Sequence, residues 1–422
     1  MVLTNKNNKS SKRIIKEIQK VINILVKSIC KHLIKPIGEP FSLKLARKDN
    51  EAIIEKFSSE HDLQEVIFIS TDGTTINTQE FSRIVGLNAT ANLIWGPELR
   101  RPTIVKKYKE SKYHIPSMIS VERIQMELVT TTCVLRTIRT GKLHCQDCPI
   151  SKNNCMIQQH KKTLKDLNDF RPVALLDLTI DFSFIKKQQF ISPEAKTLIL
   201  NTVKWVYQQI REYNLEMIFI THGSRDKRFM YEIKSDIDFM FRRSGEFDKK
   251  ILQEIKKFYT NTKDLDEFSH IKGILQSFNK SFRFISENFT DFDLFRKSFT
   301  DKGNSTPLFQ ILDPNALEYY EGVDAAYRLT TWGYHEIIDE SYQYVPLDDI
   351  KIGFPLNSDP DFLYDAFLFD TALGRGHSLS LALAHSIISP GRNTRNLIAQ
   401  ILADLNQIPK TLKTIQKWRF FK

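Results

Sequence analysis

Cysteines and long apolar runs are both scarce in this sequence. The chain has 422 residues and only five cysteines, an odd number that argues against a secreted protein held together by disulfides. No stretch approaches the roughly 18 uncharged apolar residues of a membrane-spanning helix, so we expect no membrane span. The first residues also lack the apolar core of a signal peptide. A cytoplasmic location is therefore the expectation.

The composition is that of a globular protein with a basic surface. Hydrophobic residues make up 41% of the chain and aromatic residues 11%, which excludes a largely disordered protein. The formal net charge of +11 favours an anionic partner such as a nucleotide, a nucleic acid or an acidic protein. A Lys-rich and Ile-rich composition can also reflect genome bias, so the charge alone does not select among these partners.

The most informative stretch runs from residue 218 to 241 and reads IFITHGSRDKRFMYEIKSDIDFMF. An apolar run followed by Gly223 and Ser224 predicts a buried strand that ends in a turn. Glycine lets the backbone approach a ligand, and the amide groups of such a turn can hold phosphate oxygens. We therefore predict that Gly223 and Ser224 bind a nucleotide. Arg225 and Arg228 are either further phosphate contacts or solvated surface charges.

A pair of acids follows on what reads as the next strand. Asp236 and Asp238 are two residues apart, so on a strand both carboxylates point to one face. Two neighbouring carboxylates repel each other, and a cation relieves that repulsion. Oxygen ligands suit Mg²⁺ or Mn²⁺. The alternative is a solvated hairpin whose acids are only surface charges.

The Gly223-Ser224 turn, the eleven-residue spacer and the Asp236-x-Asp238 pair together resemble the signature of the DNA polymerase beta-like nucleotidyltransferase superfamily. The resemblance implies a Mg²⁺-dependent enzyme that moves a nucleoside monophosphate from an NTP to an acceptor hydroxyl and releases pyrophosphate. It also implies a third carboxylate on a later strand, for which Asp313 is preferred over Asp293. The segment around Asp313 loosely resembles the protein-uridylylating and protein-adenylylating branch. The acceptor, whether protein, RNA or small molecule, stays open.

Four of the five cysteines lie between residues 133 and 155. Cys145, Cys148 and Cys155 have the spacing Cys-x2-Cys-x6-Cys, and a Cys-x2-Cys turn can hold one metal ion. Zn²⁺ is preferred over an iron–sulfur cluster, for which Cys133 is the candidate fourth ligand. The absence of a second Cys-x2-Cys pair leaves a second interpretation open, namely ordinary thiols in a loop.

Several other segments have predicted structures. Residues 13–35 have apolar positions at helical spacing and many lysines, which predicts either a helix packed on the protein or a basic helix on a membrane or nucleic acid. Asp72-Gly73 reads as a turn, and residues 175–182, with Asp177 and Asp181, read as an edge strand or a connection. Helices are predicted over residues 194–213, 360–369, 379–388 and 393–405. The histidines at 335, 377 and 385 lack the spacing of a metal cluster.

These features together predict an α/β (α+β) fold with a mixed sheet and a helical C-terminal region. The predicted domains are a basic tail and helix (1–48), an α/β module with the cysteines (49–190), a nucleotidyltransferase-like domain (191–345) and the helical region (346–422). Two other hypotheses remain. One is a non-catalytic regulatory protein that senses a ligand or metal and uses the basic helix to bind nucleic acid or membrane. The other is a metal-binding nucleic-acid module built around Cys145 and Cys148.

Overall fold

The computed structural model of the chain describes 16 stretches of residues, which carry all the statements below. They are residues 43–45, 55–56, 61–79, 84–113, 116–143, 148–150, 155–182, 185, 191–223, 290–292, 304–306, 308–311, 319–338, 341–373, 378–389 and 391–405.

The described strands and helices follow one another in a mixed order. The strands are β1 (Leu43–Leu45), β2 (Glu55–Lys56), β3 (Val66–Gln79), β4 (Ile84–Trp95), β5 (Thr103–Tyr113), β6 (Arg171–Leu176), β7 (Glu216–His222), β8 (Asn304–Ser305), β9 (Phe309–Ile311), β10 (Ala325–Ile338) and β11 (Ser341–Pro355). The helices are α1 (Pro116–Thr140), α2 (Lys161–Lys165), α3 (Pro193–Tyr213), α4 (Pro360–Leu373), α5 (Leu379–Ile388) and α6 (Arg392–Leu405), with a 3₁₀ helix over Met156–His160. The predicted mixed α/β fold is confirmed.

The chain divides into two compact units. One consists of Met1–Phe57, His222–Asp313 and Arg328–Lys351, and the other of Ser58–Thr221, Pro314–Tyr327 and Ile352–Lys422. We call the second one the larger unit; it contains the candidate site described below. In the first unit, β1 pairs antiparallel with β9, and β8 pairs antiparallel with both β2 and β10. The four domains proposed from the sequence remain a prediction.

The sheet of the larger unit combines an antiparallel meander with parallel strands. Its strand order is β5-β4-β3-β6-β7, in which β3, β4 and β5 pair antiparallel and β6 lies parallel to both β3 and β7. The sequence of β6, RPVALL, is buried from its second residue onward. Such a continuous apolar run is typical of a parallel strand covered on both faces.

Helices cover both faces of this sheet. On β3, Thr71 hydrogen-bonds Thr131 of α1 at 2.6 Å, whereas Ser70 hydrogen-bonds Ser380 of α5. Because successive residues of a strand point to opposite faces, α1 lies on one face and α5 on the other. The result is a three-layer arrangement with β3 at its centre.

The helix predictions for 194–213, 360–369, 379–388 and 393–405 are confirmed by α3, α4, α5 and α6. Helix α3 begins where expected, because the Ser192 hydroxyl accepts a hydrogen bond from the amide of Ala195 and Pro193 occupies the first turn. It ends at Asn214, whose φ of 49° closes the helix in the left-handed region.

Two local predictions are wrong, and both concern β3 and β6. Asp72-Gly73 is not a turn: it lies inside β3, where Asp72 pairs with Ala91 and Gly73 with Thr90. Residues 175 and 176 are not an edge strand or a connection, since they end β6 between β3 and β7. In each case the pairing with neighbouring strands overrides the local signal. No helix among the described residues is long and apolar enough to cross a membrane, and residues 13–35 lie outside the described residues.

Candidate active site

The centre of β3 carries a carboxylate held in place by two contacts. Asp72 accepts a hydrogen bond from the amide of Gly73 at 2.7 Å through Oδ1, and its Oδ2 lies 2.5 Å from Nδ1 of His385. The Asp72 side chain is only 15% exposed, whereas that of His385, on α5, is 66% exposed. A nearly buried acid is therefore connected to solvent through an imidazole.

A second carboxylate approaches β3 from α1. Glu127 is buried and forms an ion pair with Arg123 one helical turn earlier, with 2.9 Å between Arg123 Nη1 and Glu127 Oε1. The same Arg123 nitrogen donates a hydrogen bond to the carbonyl of Gly73 at 2.9 Å. A Cβ atom on Gly73 would lie 2.1 Å from Glu127 Oε1. Only glycine at residue 73 leaves room for the Glu127 carboxylate against the strand.

Asp177 brings a third carboxylate to this region. In the parallel register of β3 and β6, Thr71 pairs with Leu176, the last residue of β6. Asp177 directly follows Leu176, as Asp72 follows Thr71. The pKa of Glu127 is raised to about 8, chiefly by burial and also by the negative charges of Asp72 and Asp177, against the opposing effect of Arg123. Asp72 and Asp177 are thus both close enough to Glu127 to affect its ionisation.

Helix α5, which carries His385, is anchored by a buried acid. Asp370 on α4 accepts hydrogen bonds from the hydroxyl of Ser378 and, at 3.2 Å, from the amide of Ser380. Ser378 also caps α5 by accepting from the amide of Leu381. Because Ser380 hydrogen-bonds Ser70 of β3, this network attaches the first turn of α5 to the strand that carries Asp72. Burial raises the pKa of Asp370 to about 6, although the serine hydrogen bonds oppose the shift.

The chemistry of these donors suits a divalent cation. As the side chains are placed, no three His, Cys, Asp or Glu residues within the described ranges surround a common point as a bound metal requires. Instead, Glu127 contacts Arg123 and Asp72 contacts His385. Each of these two carboxylates thus already has a nitrogen-bearing side chain as its partner. A carboxylate has about four acceptor positions, so Asp72 can bind a hard cation such as Mg²⁺ or Mn²⁺ while it keeps His385.

The predicted nucleotide site can be examined only at its first residues. Gly223 has a φ of 55° and donates its amide hydrogen bond to the carbonyl of Asp349 at 2.9 Å. His222 Nδ1 lies 2.7 Å from Asp348 Oδ2. The other predicted residues of that site, and both candidates for its third acid, lie outside the described residues: Ser224, Arg225, Arg228, Asp236, Asp238, Asp293 and Asp313. Their roles remain predictions.

The structure does not support Zn²⁺ at the cysteines. Cys133, Cys148 and Cys155 form no disulfide bond, and no metal-holding group of three ligands occurs in the part of the chain that the structure describes. Cys145 lies outside the described residues. A hydrogen bond from Cys133 lowers the pKa of Cys148 to about 6, assisted by the amide of Ile150 and the charge of Lys107, while burial opposes the shift. Metal binding by these cysteines remains a prediction.

Sequence reasoning missed the acids of the larger unit for identifiable reasons. Asp72 and Asp177 each follow an apolar run, in VIFISTD and PVALLD, as Gly223 does. The Asp72-Gly73 pair predicts a turn, whereas in the structure Gly73 leaves room for Glu127. The spacing of the histidines does not indicate a metal cluster, and it does not reveal the contact of His385 with Asp72, which spans 313 positions of the chain.

Comparisons with solved structures find a distant similarity to NurA. The chain is similar to the NurA nuclease from Sulfolobus solfataricus, with a TM-score of 0.44 and 11% identity over 85% of this chain and 88% of that one. It is similar to NurA bound to dAMP and manganese, with a TM-score of 0.33 and 10% identity over 96% and 98%. For NurA with manganese the TM-score is 0.31, with 10% identity over 82% and 91%.

No family model matches the sequence. No curated protein matches it either.

The prediction of a nucleotidyltransferase is wrong. The four solved structures found here are of NurA and not of members of the DNA polymerase beta-like superfamily. Nucleotidyl transfer, ATP binding and an acceptor hydroxyl are withdrawn with it, and the regulatory alternative has no support either. The fold class, which the sequence also predicted, is unaffected by this correction.

Proposed function

We propose that this chain is a divalent-cation-dependent nuclease whose active site contains Asp72, Glu127, Asp177 and His385. The observation that carries the proposal is the placement of Glu127. A buried carboxylate lies against a strand at a glycine, within electrostatic range of two more acids. Burial and neighbouring negative charges both disfavour the ionised form of Glu127. An acid held in such a position marks a candidate functional site.

A cation accounts for the clustering of these acids. Ionised carboxylates repel one another, and a divalent cation held by these acids would offset that repulsion. When bound, such an ion polarises a phosphate and lowers the pKa of its water. The chain's own acids supply the oxygen ligands, and the glycine at residue 73 keeps Glu127 within reach of the strand.

Hydrolysis of a phosphodiester also requires proton transfer. A water oxygen bonds to phosphorus, one P–O ester bond breaks, the water loses a proton and the departing oxygen gains one. His385 suits this exchange, because Asp72 fixes its Nδ1 side while two-thirds of the ring is exposed. Asp72 orients the imidazole through this contact. We assign His385 the role of proton carrier.

The overall charge fits a polyanionic substrate. The net charge of +11 favours association with nucleic acid over neutral or cationic partners. The dAMP and the manganese in the NurA structures select the first cation and product to test.

The test is cleavage of labelled oligonucleotides with Mn²⁺, Mg²⁺, Ca²⁺ or a chelator. We expect Mn²⁺ or Mg²⁺ to support cleavage and the chelator to abolish it. Asp72→Asn, Glu127→Gln and Asp177→Asn should each reduce the rate by roughly 100-fold or more. Asp169→Asn is the matched control, because Asp169 is an exposed acid on the segment before β6. Full activity in Asp72→Asn or Glu127→Gln would exclude this site.

A further inference from the structure

The outer strand β5 presents an exposed face on the same side of the sheet as Asp72. β5 is at one end of the strand order of the larger unit and pairs with β4. Directly paired residues of neighbouring strands have side chains on the same face. The register therefore defines two rows across the sheet, listed here from β3 to β5. They are Asp72, Ala91 and Lys106, and Thr74, Ala89 and Tyr108.

The middle of each row is small and covered. Ala89 and Ala91 are buried and pack against Ile388, with Ile387 beside them. The ends of the rows on β5 are not covered: Tyr108 is 54% exposed and Lys106 is partly exposed. Two strand spacings, about 10 Å, separate this end from β3. One bound strand of nucleic acid can reach both.

Residues on the opposite face of β5 pack against the rest of the protein. Lys109 forms an ion pair with the buried Glu122 of α1, and burial lowers the pKa of Lys107. Among the described residues, the face with Lys106 and Tyr108 is therefore the more accessible one to a partner.

The charged residues around this face indicate which kind of partner it binds. Arg100 and Arg101, in the connection that leads into β5, are both exposed, and Ile104 at the start of the strand is 37% exposed. Glu110 is the one acid of β5 and lies beyond Tyr108 on the same face. An exposed ring two positions from a lysine on one strand face is a combination that binds single-stranded nucleic acid, since the ring stacks on a base and the cation contacts a phosphate. A paired and stacked base in a duplex does not offer its face to such a ring.

We propose that the face of β5 formed by Lys106 and Tyr108 binds single-stranded nucleic acid and directs it toward Asp72. Tyr108 stacks on a base, and Lys106 contacts the adjoining backbone. The direction of the bound strand, toward Asp72, rests on the proposed nuclease function. The binding itself can be tested without cleavage.

The experiment measures fluorescence anisotropy of a labelled oligothymidine, and of a duplex of equal length, in Ca²⁺. The proteins are the full chain and its Tyr108→Ala, Tyr108→Phe and Lys106→Ala variants, with Lys165→Ala as the control for loss of one exposed lysine on α2. Circular dichroism establishes that each variant is folded. Tyr108→Ala should weaken single-strand binding by roughly 5- to 100-fold, the effect of losing one stacked base. Tyr108→Phe and Lys165→Ala should bind as the wild type does.

The outcomes separate this inference from the proposed function. Unchanged single-strand affinity in folded Tyr108→Ala would overturn the inference, as would an equal loss of affinity for the duplex. The catalytic proposal is tested separately by cleavage with Asp72→Asn. Loss of binding in Tyr108→Ala combined with full cleavage by Asp72→Asn would support this surface and reject the catalytic assignment.

Discussion

A single glycine determines how close an acid on α1 comes to the central strand. Gly73 has no side chain, and a Cβ at this position would overlap the Glu127 carboxylate. Arg123 reinforces the arrangement by contacting both the Gly73 carbonyl and Glu127. The site therefore depends on a missing atom as much as on the charged groups present.

The Gly73→Ala variant should lose activity while remaining folded. The added methyl group must displace Glu127, so we expect Mn²⁺ affinity and the cleavage rate to fall at least roughly tenfold. Calorimetry with Mn²⁺ and a cleavage assay measure these changes. Gly391→Ala is the control, because a Cβ there meets no atom within 4 Å. Equal Mn²⁺ affinity in Gly73→Ala and the wild type would contradict the role assigned to this glycine.

Metal binding should release a proton from Glu127. The pKa of Glu127 is about 8 in the metal-free protein, so at pH 7 this carboxyl is mostly protonated, whereas a metal ligand must be ionised. We expect about one proton to be released per bound ion at pH 7, and less as the pH rises through 8. Calorimetry in two buffers of different ionisation enthalpy measures this release. Glu127→Gln should release none, and a wild type that also released none would refute the assignment.

At the scale of elements, α5 is positioned by contacts at its first turn. Asp370 holds Ser378 and Ser380, and Ser380 in turn contacts Ser70 of β3. His385 lies one and a half turns further along the same helix. The orientation of the imidazole toward Asp72 thus follows from a hydrogen-bonded network on α4 and β3.

Asp370→Ala should destabilise the protein and reduce cleavage. Loss of the acceptor leaves buried serine hydroxyls without their partner, which costs about 1–3 kcal/mol of unfolding free energy. Denaturant unfolding measures this loss, with Asp169→Ala as the exposed-acid control. Cleavage should fall as well, because α5 carries His385. An unchanged unfolding free energy would show that the network does not anchor the helix.

Asp370 also makes the free energy of unfolding depend on pH. Because the pKa of Asp370 is raised from 3.8 to about 6, the folded state binds its proton more tightly than the unfolded state does. Its contribution to the unfolding free energy is therefore complete below pH 3.8 and declines as the pH rises to about 6. The side chain in Asp370→Asn does not titrate. When the unfolding free energy is measured against pH, this variant should therefore lack the decline that Asp370 causes in the wild type.

At the scale of the whole molecule, a net charge of +11 should make nucleic-acid binding strongly dependent on salt. Each phosphate neutralised on a single strand contributes about −0.7 to the slope of log K against log salt concentration. If Lys106 contacts one phosphate, Lys106→Ala should make the slope shallower by about 0.7. Anisotropy titrations over a series of salt concentrations measure it. The control Lys165→Ala should keep the slope of the wild type, and an unchanged slope in Lys106→Ala would remove this lysine from the interface.

The elements with strong periodic patterns were predictable from sequence. Helix α3 was located by its Ser192-Pro193 start and apolar stripe, and β7 by its uninterrupted apolar run. Predictions failed where a local signal conflicted with pairing between strands. Asp72-Gly73 has the composition of a turn, but hydrogen bonds to β4 and the approach of Glu127 place it within a strand.

The sequence by itself determined the mixed α/β character, the helical C-terminal region and the basic charge, because each depends on composition or on spacing along a single element. Only the tertiary structure decided which acids matter together. Asp72, Glu127, Asp177 and His385 come from two strand segments and two helices far apart in the chain. Their proximity results from the parallel register of β3 and β6 and from the packing of α1 and α5 on opposite faces. Side chains that meet through such register and packing leave no common local pattern from which to predict the site.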